Sequence, residues 1–328
     1  MMMLKKSRCL ILAMVLILVV VSCNAFAAVK KPITLIYGNI FGTNHFFYKG
    51  DVYFKELVEK NSKGQIQVKL YPAAQLGPQT EQIQATMVGS QQMTMTSGGV
   101  LAPYWKKLST LDLPYVYRDQ EHYIKVAEKI TSIIDAKEMA AKTGMRILSA
   151  RIRTPRQLTT KFPVNKLEDI KGLKMRVPEL PVMVALWKAL GAVPTVIPSA
   201  EIYTSLATGT VDAQENPFAD IYAAKTYEQT KYCALTSHMR EIIVMLINNN
   251  FWNKLTTSQK KLIQNAAVQS SKLMIKTALE GEEADYQALL KVGMIFTKPN
   301  LAPFREKAKT VWDQFGDKEL IEKIQAVR

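Results

Sequence analysis

Gly172-Leu173-Lys174-Met175-Arg176-Val177-Pro178 alternates apolar and basic residues, with Leu173, Met175 and Val177 on one face of a short strand and Lys174 and Arg176 on the other. Pro178 stops the strand. Pro181 then opens an apolar helical run over residues 182–192. Open α/β sheets present ligands at the carboxyl ends of strands that lead into helices, and Arg176 stands at such an end.

Working outward, Arg156 begins another strand-like run, Arg156-Gln-Leu-Thr-Thr-Lys-Phe162. Asn216 closes Val211-Asp-Ala-Gln-Glu-Asn-Pro217, after an apolar piece at 193–198 and a helix at 200–208. If these strands share a sheet, two guanidiniums and an amide line one crevice. Arginine offers a rigid fork of donors that matches a carboxylate, and asparagine adds both donor and acceptor, so an anion fits.

Upstream, 33–39 and 65–71 alternate as strands, 45–61 and 79–87 have helical spacing, and Met93 and Met95 mark a further strand. This is the βαβ alternation of an α/β layer protein. Ser97-Gly98-Gly99 has neither the lysine of a phosphate loop nor a dinucleotide fingerprint, and reads as a turn. The aromatic-rich 101–117 segment packs under a pocket or lends it a wall, with packing favoured. Residues 119–143 read as helical surface and 145–150 as a strand. Arg240-Glu-Ile-Ile-Val-Met-Leu-Ile-Asn248 is too short to cross a membrane and suits a buried strand. Helical spacing runs from Ser258 to Lys291, interrupted by Gly281 alone; a strand at 294–298 and a helical tail at 303–327 follow.

Lys171-Gly-Leu-Lys-Met-Arg-Val-Pro178 and Val211-Asp-Ala-Gln-Glu-Asn-Pro217 resemble the central signature of solute-binding proteins of tripartite ATP-independent periplasmic (TRAP) transporters. Leu70-Tyr-Pro-Ala-Ala-Gln-Leu-Gly77, Leu113-Pro-Tyr-Val-Tyr117, Arg156-Gln-Leu-Thr-Thr160 and Gly191-Ala-Val-Pro194 extend the match in order along the chain. The resemblance implies an α/β fold of periplasmic-binding-protein type, with two α/β lobes, a hinge and a long helix spanning both. Lobe I takes 28–153 plus 242–281, and lobe II takes 154–241 plus 282–328. It also implies that Arg176 pairs with a substrate carboxylate, that Arg156 is a second binding arginine and that Asn216 contacts the ligand. His45 and Glu201 resemble positions near the ligand cleft, although each has a structural alternative as a cap or packing group. Many relatives carry Asn-Gly where Arg153 and Thr154 stand, which leaves Arg153 either an extra anion contact or a surface charge. The implied function is capture of a small organic acid and its delivery to TRAP membrane permease subunits by a monomer.

Lys5, Lys6 and Arg8, the apolar run 10–21 and Ala25-Phe26-Ala27 form a signal peptide, so residues 1–27 are expected to be removed and the product to be periplasmic. Val20-Val-Ser-Cys23 offers a rival lipid-anchor site. The remaining chain of about 300 residues exceeds one usual core, which favours two domains. Formal charge is +15 over the whole chain. Basic residues are scattered over amphipathic helices without a nucleic-acid module, so solvated faces and a local anion site are expected rather than nucleic acid. Cys233 is the single cysteine beyond the leader and reads as a small buried hydrophobe. His45, His122 and His238 are widely separated, and neither His-Glu-x-x-His nor Gly-x-Ser-x-Gly occurs. No catalytic set, metal site or cofactor is expected. A lipid-tethered sensor subunit and an exported enzyme acting on an acidic metabolite remain the alternatives.

Overall fold

The computed structural model describes residues 31–328, so the leader, its cleavage site and Cys23 lie outside the described residues. Strands in chain order are β1 (Ile33–Gly38), β2 (Ile66–Tyr71), β3 (Met93–Ser97), β4 (Met145–Ile152), β5 (Arg156–Thr160), β6 (Lys174–Val177), β7 (Val193–Val196), β8 (Ala213–Asn216), β9 (Tyr232–Met239), β10 (Ile242–Asn248) and β11 (Ile295–Thr297). They form two sheets, ordered β2-β1-β3-β10-β4 and β11-β9-β5-β8-β6-β7. Each sheet anchors one lobe. The chain passes between them at 153–155, from β4 to β5, and returns at Arg240 and Glu241, from β9 to β10. The apolar run after Glu241 makes β10 buried along its whole length, inserted antiparallel between β3 and β4.

Helix Thr257–Lys291 joins the lobes from outside. It starts at a capping box: Gln259 N–H donates to Thr256 Oγ1 at 3.3 Å, and Thr256 N–H donates to Gln259 Oε1 at 2.9 Å. Ile263, Ala267 and Met274 pack in the core that holds Leu35, Tyr37 and Met245. One end is thus fixed to the first sheet. Leu289 packs with Phe218, Cys233 and Met294 beside the second. Gly281 is accommodated without ending the helix.

Several expectations need correction. Ser97-Gly98-Gly99 does not make a plain turn, because Gly98–Leu101 is a short helix packed so tightly that a Cβ on Gly98 would lie 2.4 Å from the Leu108 carbonyl oxygen. The 119–143 segment is not simply surface, since Tyr123, Val126, Ile130 and Met139 are core residues. In 101–117, Trp105 and Tyr117 are buried in the same core while Tyr104 and Tyr115 pack against it. β9 went unrecognised, its run being broken by the buried polar Thr236 and His238. β7, at the apolar piece 193–198, is an edge strand with Val193 and Val196 about half exposed.

Candidate functional site

β5 runs antiparallel to β8, with Gln157 opposite Asn216, and β6 runs parallel to β8. The start of β5 therefore shares an edge with the ends of β6 and β8. This places Arg156, Arg176 and Asn216 together. They line a cavity of about 510 Å³ between the lobes, with Arg153, Asp220 and Glu241 on its walls and Phe41, Gln79, Ser97 and Ile243 facing from the first lobe. A wider surface groove of about 660 Å³ beside helix Pro181–Ala189 is lined by Leu180, Val184, Ala185 and Lys188, and it lacks convergent donors. The charged cleft is the candidate site.

Arg176 is 1% exposed. Its Nε donates to the Ile197 carbonyl at 2.8 Å and its Nη2 reaches Ser199 Oγ at 3.4 Å. Among the described residues no carboxylate forms an ion pair with it. Burial lowers its pKa to about 10; Glu215 opposes that drop and Arg156 adds to it. The strand thus holds a desolvated cation by its inner edge and leaves the outer edge of the guanidinium without a counterion.

Arg156 is in the opposite condition. Its Nε and Nη2 engage the Glu215 carboxylate, the latter at 2.8 Å, Nη1 meets Glu241 Oε2 at 2.9 Å, and Nη2 also donates to Asn216 Oδ1 at 2.9 Å. Burial opposes its charge, but Glu215 and Glu241 more than compensate and raise its pKa. Glu215, fully buried, also bonds His238 Nε2 at 3.1 Å. Burial alone would raise the Glu215 pKa; Arg156 and His238 reverse this and bring it to about 2. Asn216 in turn donates to Gln214 Oε1 at 2.8 Å.

Arg153, in the first crossing, donates to Glu241 in the second and to Asp220 on helix Phe218–Ala223. It is not a free surface charge: it ties the two crossings to the second lobe. His45 caps helix Phe46–Asn61 by accepting from Phe47 N–H at 3.1 Å, and its ring packs on Phe41 and Phe46. Burial lowers its pKa to about 4, against the pull of Asp220. Phe41 lines the cavity, and His45 packs on it without being one of the lining residues. Glu201 is exposed at the end of a 3-10 turn and lies outside the lining, where Ser199 and Ile202 take its place.

Sequence reasoning did not single out Glu215, Asp220 or Glu241. Glu215 lies inside the quoted 211–217 motif, one residue before Asn216, so its place on the β8 edge was available. Asp220 and Glu241 gave no local signal, because their partner Arg153 is 67 and 88 residues away. Asp112 is a further hidden acid: it accepts from Gly99 N–H at 2.6 Å, and burial, then Glu241, push its pKa up to about 7. No group of metal-ligating side chains occurs among the described residues.

The model of the family described as bacterial extracellular solute-binding protein, family 7, matches residues 37–319. The chain belongs to this family, the solute-binding proteins of TRAP transporters. It is 31% identical over 297 residues to the sialic acid-binding periplasmic protein of Vibrio cholerae, covering 90% of this chain and 92% of that one. A TRAP periplasmic solute-binding protein from Ochrobactrum anthropi, solved with its C-terminus bound in the ligand-binding pocket, superposes with a TM-score of 0.84 at 34% identity, covering 90% and 94% of the two chains. One from Pseudomonas putida F1 with bound D-glucuronate gives 0.83 at 26% identity, covering 90% and 98%. The two-lobed architecture and the long bridging helix fit this class.

Proposed function

We propose that the protein captures a small organic acid, of the sugar-acid kind, in the inter-lobe cavity and presents it to the membrane subunits of a TRAP transporter. The observation that carries this is Arg176: a buried guanidinium on the cavity edge with its inner side anchored and no carboxylate partner among the described residues. A ligand carboxylate supplies the missing charge through a bidentate pair. Closure of the lobes around the crossings at 153–155 and 240–241 then excludes water and strengthens that pair.

Arg156 and Asn216 complete the floor of the site. Most of Arg156's donors hold Glu215, Glu241 and Asn216 in place, so it acts chiefly by fixing the frame. Arg153 holds the hinge crossings to the second lobe, and His45 supports the Phe41 wall. Glu201, outside the lining, is assigned no ligand contact. The ligands of two relatives, sialic acid and D-glucuronate, are both carboxylates bearing several hydroxyls, in keeping with this chemistry. The working unit is a periplasmic monomer released by cleavage after Ala27, with lobes 28–153 plus 242–281 and 154–241 plus 282–328. It binds without turnover.

Thermal-shift screening of the mature chain against organic acids, uronates and aldonates tests the proposal. A ligand that binds only the native state raises the melting point by mass action. Stabilisation by acids and not by the parent neutral sugars is expected; equal response to neutral sugars would defeat the proposal.

A further inference from the structure

The charges around the cavity are unevenly paired. Arg153, Arg156 and Arg176 stand among the acids Glu215, Asp220 and Glu241, with Glu179 exposed at the rim; the first three acids are bonded to Arg153 or Arg156, and none of the four forms an ion pair with Arg176. His45 is uncharged near neutral pH. Arg176 is therefore the lining arginine that has no ion-pair partner among the described residues. At the other wall, Asp220 and Glu241 each meet arginine through one oxygen, Oδ2 and Oε2. Their second oxygens have no donor among the described residues, and both residues line the cavity. Such oxygens accept hydrogen bonds from hydroxyls and repel anions.

We infer that the site selects a monocarboxylate whose remaining polar groups are neutral hydrogen-bond donors, and that it rejects the corresponding diacid. The inference rests on the proposed capture of an acid at Arg176 and adds the chemistry of the ligand's far end. A second carboxylate would face Asp220 and Glu241. It could acquire a cation only by drawing Arg153 off both, leaving Asp220 without its partner and Glu241 with Arg156 alone. Hydroxyls in the same place complete the free oxygens at no cost in charge.

Isothermal titration of the mature chain at pH 7.5 tests this with matched probes: D-glucuronate against D-glucarate, and galactonate against galactarate, with D-glucose as the neutral control. The monoacid of a pair is expected to bind at least about tenfold tighter than its diacid, and on the order of 100-fold tighter if the second carboxylate stays ionised. Asp220→Asn, which removes one repelling charge and loosens Arg153, should narrow that gap; Glu241→Gln provides the same test should the first variant melt early. A gap below tenfold in the unmodified protein overturns the inference while leaving acid capture standing. A gap that neither folded variant narrows overturns it too, by removing the acids as its cause. Binding of D-glucose as tight as that of the acids, or of no acid at all, brings down the capture proposal and this inference together.

Discussion

Replacing Arg176 by methionine should separate binding from stability in opposite directions. The side chain is 1% exposed and bears a charge without a counterion, and its pKa falls from 12.5 to about 10 chiefly through burial. That fall corresponds to about 3 kcal/mol of unfavourable electrostatics in the empty protein. Methionine removes this term but also the 2.8 Å bond to the Ile197 carbonyl, at a loss of about 1 kcal/mol. The net gain of roughly 2 kcal/mol should raise the melting temperature of the ligand-free chain by ~3 °C. Acid affinity should fall about 30-fold to several thousand-fold, the equivalent of ~2 to 5 kcal/mol for truncating one member of a buried charge pair. Arg176→Lys keeps the charge but not the fork, and should lie between the two. Differential scanning calorimetry without ligand and titration with the best-binding acid give both numbers. A lower melting temperature with unchanged affinity would refute the reasoning, because Arg176 would then be a structural cation satisfied by the protein.

Other perturbations have distinct signatures. Arg156→Gln leaves Glu215 and Glu241 short of their shared cation, and should cost ~3 to 5 kcal/mol in urea unfolding as well as weakening ligand binding. Asp112, whose pKa is raised from 3.8 to about 7 first by burial and then by Glu241, keeps its proton when folded over a range where the unfolded chain has lost it. Its contribution is therefore present below pH 3.8 and declines as pH rises to about 7; Asp112→Asn should remove that decline, seen as a flatter plot of melting temperature against pH across the window. Gly98→Ala sets a Cβ against the Leu108 carbonyl oxygen and should destabilise the chain by ~1 to 3 kcal/mol, measured by chemical denaturation.

The alternation around Arg176 and the proline after it marked both the strand and the arginine's place at its end, because those features are local. Convergence with Arg156 and Asn216 was also within reach, although the antiparallel direction of β5 that produces it was not. What sequence could not reveal was which arginine lacks a partner. Arg153 and Arg156 looked as available as Arg176, and only the folded chain brings Asp220, Glu215 and Glu241 to them across separations of 59 to 88 residues. Long-range pairing likewise explains β9: its buried Thr236 and His238 look like surface residues until the bond from His238 to Glu215 is known. Glu201 lies beside the cavity-lining Ser199 and Ile202 in sequence yet is exposed and outside the lining, a difference of side-chain direction that sequence does not carry.

The most direct test is a crystal structure of the mature chain with the acid that gives the largest thermal shift. The ligand's carboxylate should lie within ~3 Å of the outer guanidinium nitrogens of Arg176, with Arg153 still bonded to Asp220 and Glu241. A carboxylate seated on Arg153 or Arg156, with Arg176 untouched, would contradict the account.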